Sequence, residues 1–265
     1  MSETPVLIDK REGYRVLTLN RPDKLNAINV PLLEAMNAAV ADAANDESCR
    51  ALMITGAGRA FCSGQDLADR LVKGEQVASR VGETLDSHYY PLVRKLRALP
   101  YPVVAAVNGV AAGAGCNLAL NADIVIAARS ASFVQAFIRI GLIPDIGGTY
   151  MLPRLVGRAR ARGLAMTGED LSAERAADWG LIWKMFEDDA LMNEAHAMCA
   201  RFAKMPTVAL GLMKQALDVS MTNDFEAQLQ VEKELQRAAG ATPDFAEGIR
   251  AFAEKRKPNF TGRKT

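Results

Sequence analysis

One side chain in this sequence is placed for proton chemistry. Asp145 lies in the run "IGLIPDIGGTYML", with Ile143 and Pro144 before it and Ile146 and the Gly147-Gly148 pair after it. Apolar surroundings raise a carboxylate's pKa and make it a better proton acceptor, and glycines let a substrate approach the backbone. The same run reads equally as an acidic turn residue followed by a flexible loop. Two other turns could supply partners, Ser63-Gly64-Gln65-Asp66 and Gly113-Ala114-Gly115. Neither is a nucleotide loop: "GVAAGAG" lacks the G-x-G-x-x-G spacing, and no GK[ST] follows either turn. Small residues opening a helix leave backbone N–H groups free at the positive end of its dipole. With a second N–H from the other turn they would form an oxyanion hole, which stabilises a carbonyl oxygen as the adjacent carbon loses a proton. Taken singly, each turn is more simply a close helix contact or an ordinary connection.

The elements that must position these groups follow from the hydrophobic pattern. Val6–Ile8 and Arg15–Leu19 read as a hairpin around Glu12-Gly13. Leu32, Leu33, Met36, Ala39, Val40 and Ala43 make a helical stripe behind Pro31. "ALMIT" (51–55), Val103–Val107 and "DIVIAA" (123–128) are short apolar runs suited to strands buried on both faces. The loop "GAGRAFCSGQDL" is expected to be irregular. Val77–Leu99 reads as a long helix closed by Pro100 and Pro102, and "NGVAAGAGCNLALNA" as a turn into a helix of small residues. Strand, glycine turn and helix alternate, so the fold class is α/β with parallel strands. Beyond Leu155 helices are expected over Ala159–Met166, Ala173–Trp179, Ala190–Met205, Val208–Thr222, Asp224–Ala239 and Phe245–Lys255. In the fifth, Phe225, Leu229, Leu235 and Ala239 share one face, which suggests packing on another subunit.

Composition excludes several classes. Lys and Arg (32) balance Asp and Glu (31), which argues against a nucleic-acid or anionic-membrane partner. Two basic clusters, Arg154, Arg158, Arg160 and Arg162, and Lys255, Arg256, Lys257, Arg263 and Lys264, are solvated faces or contacts for a ligand's phosphates. Cys49, Cys62, Cys116 and Cys199 form no CxxC pair, and His88 and His196 are the only histidines. No metal site or disulfide framework is expected, and both histidines are assigned structural or surface roles. No apolar run is long enough to span a bilayer, and no secretory signal opens the chain, so a cytoplasmic location is the default expectation.

The segments "LNRPDKLNAIN", "LMITGAGRAFCSGQDL", "PVVAAVNGVAAGAGCNLALNADIVIAA", "FIRIGLIPDIGGTYMLPRLVG" and "EGIRAFAEKRKPNFTG" resemble, in that order, the crotonase or enoyl-CoA hydratase/isomerase superfamily. The resemblance covers nearly the whole length. It implies a crotonase-type ββα spiral, here residues 1–195 as acyl-CoA-binding core, and a C-terminal helical region, 196–265, that builds trimers, often paired into hexamers. Coenzyme A would arrive as part of the substrate, with no separate cofactor. The oxyanion hole would be the backbone N–H groups of Gln65 and Ala114. Lys24, Leu25 and Ala27, with Ser63, Asp66 and Leu67, would line the coenzyme A path, and Gly113, Tyr90, Phe133 and Phe137 the acyl pocket. Lys24 reads equally as a solvated lysine, and the aromatics more simply as core.

Departures from the pattern narrow the implied reaction. Hydratases of the family carry two glutamates at the positions of Asn117 and Phe137, and neither residue here can exchange a proton with water. Asp145 falls where isomerases place their acid. Among isomerases the resemblance runs to those of bacterial phenylacetate degradation, which convert a ring-1,2-epoxide thioester to an oxepin; shifting a 3-enoyl-CoA to a 2-enoyl-CoA is the same proton chemistry. Three alternatives remain at this point: a hydratase, a dehalogenase using Asp145 as nucleophile, and a non-catalytic CoA- or RNA-binding module. The dehalogenase's tryptophan and histidine would be Phe137 and Tyr90 here.

Overall fold

The computed structural model describes residues 4–68 and 80–263, so residues 77–79 of the expected long helix lie outside the described residues. Strands β1 (Val6–Arg11) and β2 (Tyr14–Leu19) form the expected antiparallel hairpin, pairing Arg11 with Tyr14 across Glu12-Gly13. β3 (Leu52–Gly56), β5 (Val103–Val107) and β7 (Ile124–Ala128) then add in parallel. Every residue of β3 and β5 is buried, as continuous apolar strands covered on both faces must be. β10 (Lys184–Phe186) completes a six-stranded sheet of order β1-β2-β3-β5-β7-β10.

A second sheet, β4-β6-β8-β9, runs beside it. Its strands are Ala60–Cys62, Val110–Ala112, Ser132–Val134 and Asp170–Ser172. This corrects the expectation that "GAGRAFCSGQDL" is irregular throughout, because Ala60–Cys62 is a buried strand. Three residues are too few to show a period of two, so the whole second sheet escapes a pattern reading. Successive units place one strand in each sheet, β3 with β4, β5 with β6 and β7 with β8, which is the ββα spiral.

Helix α1 (Val30–Ala44) buries all six residues of the predicted stripe, and Asn29 Oδ1 caps it by accepting from Leu32 N at 3.1 Å. α2 (Arg80–Thr84), a π turn (Leu85–Tyr89) and α3 (Tyr90–Ala98) form a continuous helical stretch ending before Pro100. α4 (Ala114–Leu120) is buried at every position. α5 (Gly148–Thr167) starts well before the expected Ala159 and bends at Gly157, where φ is 76°. α6 (Ala173–Asp178), α7 (Leu191–Phe202), α8 (Thr207–Ser220), α9 (Phe225–Gly240) and α10 (Pro243–Ala253) follow near their expected bounds. The division drawn after residue 195 falls inside α7, which buries Leu191, Ala195, Cys199 and Phe202 in the core.

The C-terminal residues fold back over α10 onto the loop before β3. Asp244 accepts from the amides of Thr261 (2.7 Å) and Gly262 (2.9 Å), and Glu247 holds Arg256 through two oxygens. Arg50 then joins three segments, donating to Thr207 Oγ1 and to the carbonyls of Met205 and Phe260. No helix of the described residues is long and apolar enough to cross a membrane.

Candidate active site

Two loops and the start of α4 build the site. Leu25 (φ 50°) and Asn26 (φ 56°) bend the chain after the 3-10 turn Pro22–Lys24. Asn26 makes the bend tolerable: its side chain accepts from Arg21 N and donates to the carbonyls of Ala57 and Ala60. This loop then runs beside the second one. Ser63 N donates to Leu25 O, Ile28 N to Gly64 O and Asp66 N to Ile28 O, at 2.7–2.9 Å. Arg21 pairs with the buried Asp66 at 2.9 Å and also donates to Ala27 O. The residues expected along a coenzyme A path are thereby brought together. Lys24 and Leu67 are exposed, Leu25 and Ser63 half-buried, and Ala27 buried; Asp66 spends its carboxylate on Arg21 and the Ala68 amide.

Gly64, at φ +94°, lets the second loop lie against α4. A Cβ there would stand 2.8 Å from Ala112 O and 3.6 Å from Ala114 N. Since Ala114 begins α4, its N–H has no acceptor inside the helix. The Ile28–Gln65 bridge uses the flanking Gly64 O and Asp66 N, leaving Gln65 N on the opposite side of its strand. Two backbone donors thus lie on adjoining segments. Tyr89, buried at the end of the π turn, holds the Gln65 side chain through a 2.6 Å hydrogen bond to Oε1. Tyr90, the neighbouring residue named from sequence, is half-buried with Arg94 over its ring. Phe137 is buried on the 3-10 turn Ala136–Ile140, and its Cζ lies 4.0 Å from where a Gly113 side chain would begin. Phe133 is buried in the core cluster.

Asp145 is half-buried, with Oδ1 shielded from solvent. Its neighbours correct the apolar setting expected from sequence: Ile146 is buried, but Ile143 is 77% exposed and Leu142 and Ile140 also face outward. What defines Asp145 is a tight turn. Ile146 (φ 41°) and Gly147 (φ 88°) are both left-handed, and Gly148 N donates to Asp145 O at 2.8 Å. That is the pattern of a type I′ turn, in which a β-branched residue is a strained occupant. Asn117 Nδ2 donates to the same Asp145 carbonyl at 2.9 Å, and Asn121 Nδ2 to Ile146 O at 2.9 Å. Asn117 Oδ1 in turn accepts from the buried Gln135 Nε2 at 3.0 Å.

The two thiols beside these loops are inactive by burial. Burial pushes the Cys62 and Cys116 thiols up to about 12, so neither is a nucleophile near neutral pH. His88 lies beside Ser87 and Glu34, while His196 faces Tyr14 at 3.0 Å. Among the described residues no group of three or more His, Cys, Asp or Glu is arranged to hold a metal ion. Sequence reasoning misses Arg21, Asn26, Tyr89, Asn121 and Gln135. Asn117 and Asn121, four apart in an apolar helix, carry a readable signal, since buried amides there need polar partners. The Tyr89-Tyr90 pair carries none without knowledge of the π turn.

Comparison with known proteins gives a consistent result. Residues 9–263 match the family described as enoyl-CoA hydratase/isomerase. The 1,2-epoxyphenylacetyl-CoA isomerase of Escherichia coli is 49% identical over 258 residues, 97% of this chain and 98% of that protein. A Rhodobacter capsulatus protein named as a probable enoyl-CoA hydratase is 46% identical over 99% of this chain and 100% of its own. An enoyl-CoA hydratase crystal structure from Bacillus anthracis superposes with a TM-score of 0.92 at 32% identity, covering 98% of this chain and 100% of that one.

Proposed function

This chain belongs to the enoyl-CoA hydratase/isomerase family, and from that premise we propose that it is an acyl-CoA isomerase with Asp145 as its single proton carrier. One observation carries the choice. Of Asn117, Phe137 and Asp145, only Asp145 can take and return a proton, and the Asn117 amide is engaged at both ends with Asp145 O and Gln135. In the 3-enoyl-CoA reaction Asp145 takes a proton from C2. The Gln65 and Ala114 amides hold the resulting dienolate oxygen, and the same proton returns to C4, giving the 2-enoyl thioester with no water added.

The identity to the Escherichia coli enzyme supports 1,2-epoxyphenylacetyl-CoA as the aromatic substrate, with oxepin-CoA as product and Asp145 shuttling a proton after ring expansion. Phe137 and Tyr90 would wall that acyl group, and Lys24, Leu25, Ala27, Ser63, Asp66 and Leu67 would border the coenzyme A path. Asp145→Asn should leave acyl-CoA binding nearly intact and lower turnover of epoxyphenylacetyl-CoA and 3-enoyl-CoA by about 10²-fold or more. Near-normal turnover in that variant removes the proposal.

The Rhodobacter relative's name favours a second reading, hydration of a 2-enoyl-CoA. Formation of 3-hydroxyacyl-CoA at a rate matching isomerisation would establish it. The C-terminal helices leave Phe225, Leu229 and Phe252 uncovered, which supports assembly into a trimer or a dimer of trimers. The core of residues 1–195 and helical region of 196–265 would then divide ligand binding from assembly, with α7 shared between them.

A further inference from the structure

The turn that carries Asp145 is not relaxed. A buried isoleucine at φ 41° is strained, and such a conformation persists only where its surroundings enforce it. Two side chains do the enforcing, and both come from the α4 segment. Asn117 and Asn121 are one helical turn apart on the same face, 0% and 6% exposed, and each donates its amide to one carbonyl of the turn. Asn121 Nδ2 also donates to Asn117 O at 2.8 Å, tying the two positions together.

The orientation of Asn117 is fixed by logic as well as by distance. Asp145 O can only accept, so Nδ2 must face it and Oδ1 must face Gln135, whose Nε2 donates. Space is fixed too: a Cβ on Gly148 would fall 2.2 Å from Asn117 Nδ2, so the turn and the amide are in closest contact. The same helix begins at Ala114, three residues before Asn117, or about 4.5 Å along its axis.

We infer that Asn117 and Asn121 are positioning residues for Asp145, hydrogen-bonding its strained turn to the helix whose first amide faces the substrate oxygen, so that one rigid element sets the distance from base to oxyanion donor. The inference rests on Asp145 being the proton carrier. It also gives Asn117 a role of its own: at the position where the family resemblance puts a hydratase glutamate, this chain needs a donor, and a carboxylate there would face Asp145 O with no proton to give. An enzyme that moves one proton between two carbons depends on that distance, since displacing a reacting group by about 1 Å can cost about 10²-fold.

The test uses full-length Asn117→Ala, Asn117→Asp and Asn121→Ala, each alone and the first also in the Asp145→Asn background, with kcat, KM, acyl-CoA binding and thermal midpoint measured. Asn117→Ala and Asn117→Asp should lower kcat by about 10- to 100-fold with KM within about 3-fold. Asn121→Ala should do the same to a smaller extent. In the Asp145→Asn background, Asn117→Ala should change the residual rate by less than about 2-fold, because a residue acting through Asp145 has nothing left to position. Three outcomes overturn the inference: folded Asn117 variants with parental kcat, a full multiplicative loss in the double variant, or a loss that appears only as reduced acyl-CoA binding and thermal midpoint. If Asp145→Asn itself turns over normally, the proposed function fails first, a result read from that single variant alone.

Discussion

At the scale of single residues, the site depends on amides more than on charges. Asn26 supports the left-handed bend that brings Lys24 and Leu25 beside Ser63, and Asn117 and Asn121 hold the turn of Asp145. Each is buried, and each is paired through backbone carbonyls, as a buried amide must be. Gly148 is the residue that makes this possible for Asn117. Gly148→Ala is expected to force the Asn117 amide away from Asp145 O, lowering kcat by about 10-fold or more, with an overpacking cost of about 1–3 kcal/mol. Steady-state kinetics with a denaturant melt checks both, and a variant with unchanged kcat would show that the amide yields without moving the turn. Asp145 is readable from sequence because an acid among Ile143, Pro144 and Ile146 stands out. The physical reason for its placement is not: Ile143 faces outward, and the turn, not apolar burial, defines the acid's position.

At the scale of elements, legibility follows length. The stripe of α1 is long enough to show a helical period, the five-residue apolar runs of β3 and β5 have a strand's length and glycine or proline bounds, and the structure has them where expected. The three-residue strands β4, β6, β8 and β9 are too short for either signal, and they form the sheet from which the Ser63 and Gly113 turns leave. α5 is expected only in its second half, whereas the helix opens at Gly148 and contains Pro153. The C-terminal strap shows an element held by charge. Arg256 and the Asn259 amide keep the Glu247 carboxyl at about 2, below its ordinary 4.5. A depressed carboxylate contributes stability above its unfolded pKa and loses it as pH falls through the folded value, so the strap should loosen between pH about 4.5 and about 2. Hydrogen exchange of residues 254–263 should rise across that window in the parent and be already raised at about pH 7 in Glu247→Gln. An unchanged profile in the variant would assign the strap's order to Asp244 and Arg50 instead.

At the scale of the whole molecule, the C-terminal helices leave large apolar side chains in solvent. α9 buries none of its residues, and Phe225, Leu217, Ile249 and Phe252 are each more than half exposed. Exposed apolar surface of that kind is what the proposed assembly would cover. Sedimentation should find a trimer or its multiple, and Phe225→Glu with Phe252→Glu should shift it to smaller species without unfolding the core; a monomeric parent would end that reading. The stripe on α9 is legible in the sequence, whereas what would cover it depends on surfaces that no one-dimensional pattern contains. The chain is also closed upon itself, since Arg50 donates to Phe260 O, 210 residues further on. During synthesis at about 5–20 residues per second, that arginine waits roughly 10–40 s for its last partner to be made. The strands of both sheets are therefore translated well before the segment that Arg50 ties down, and the newborn chain passes through an interval in which that arginine has a partner still to come.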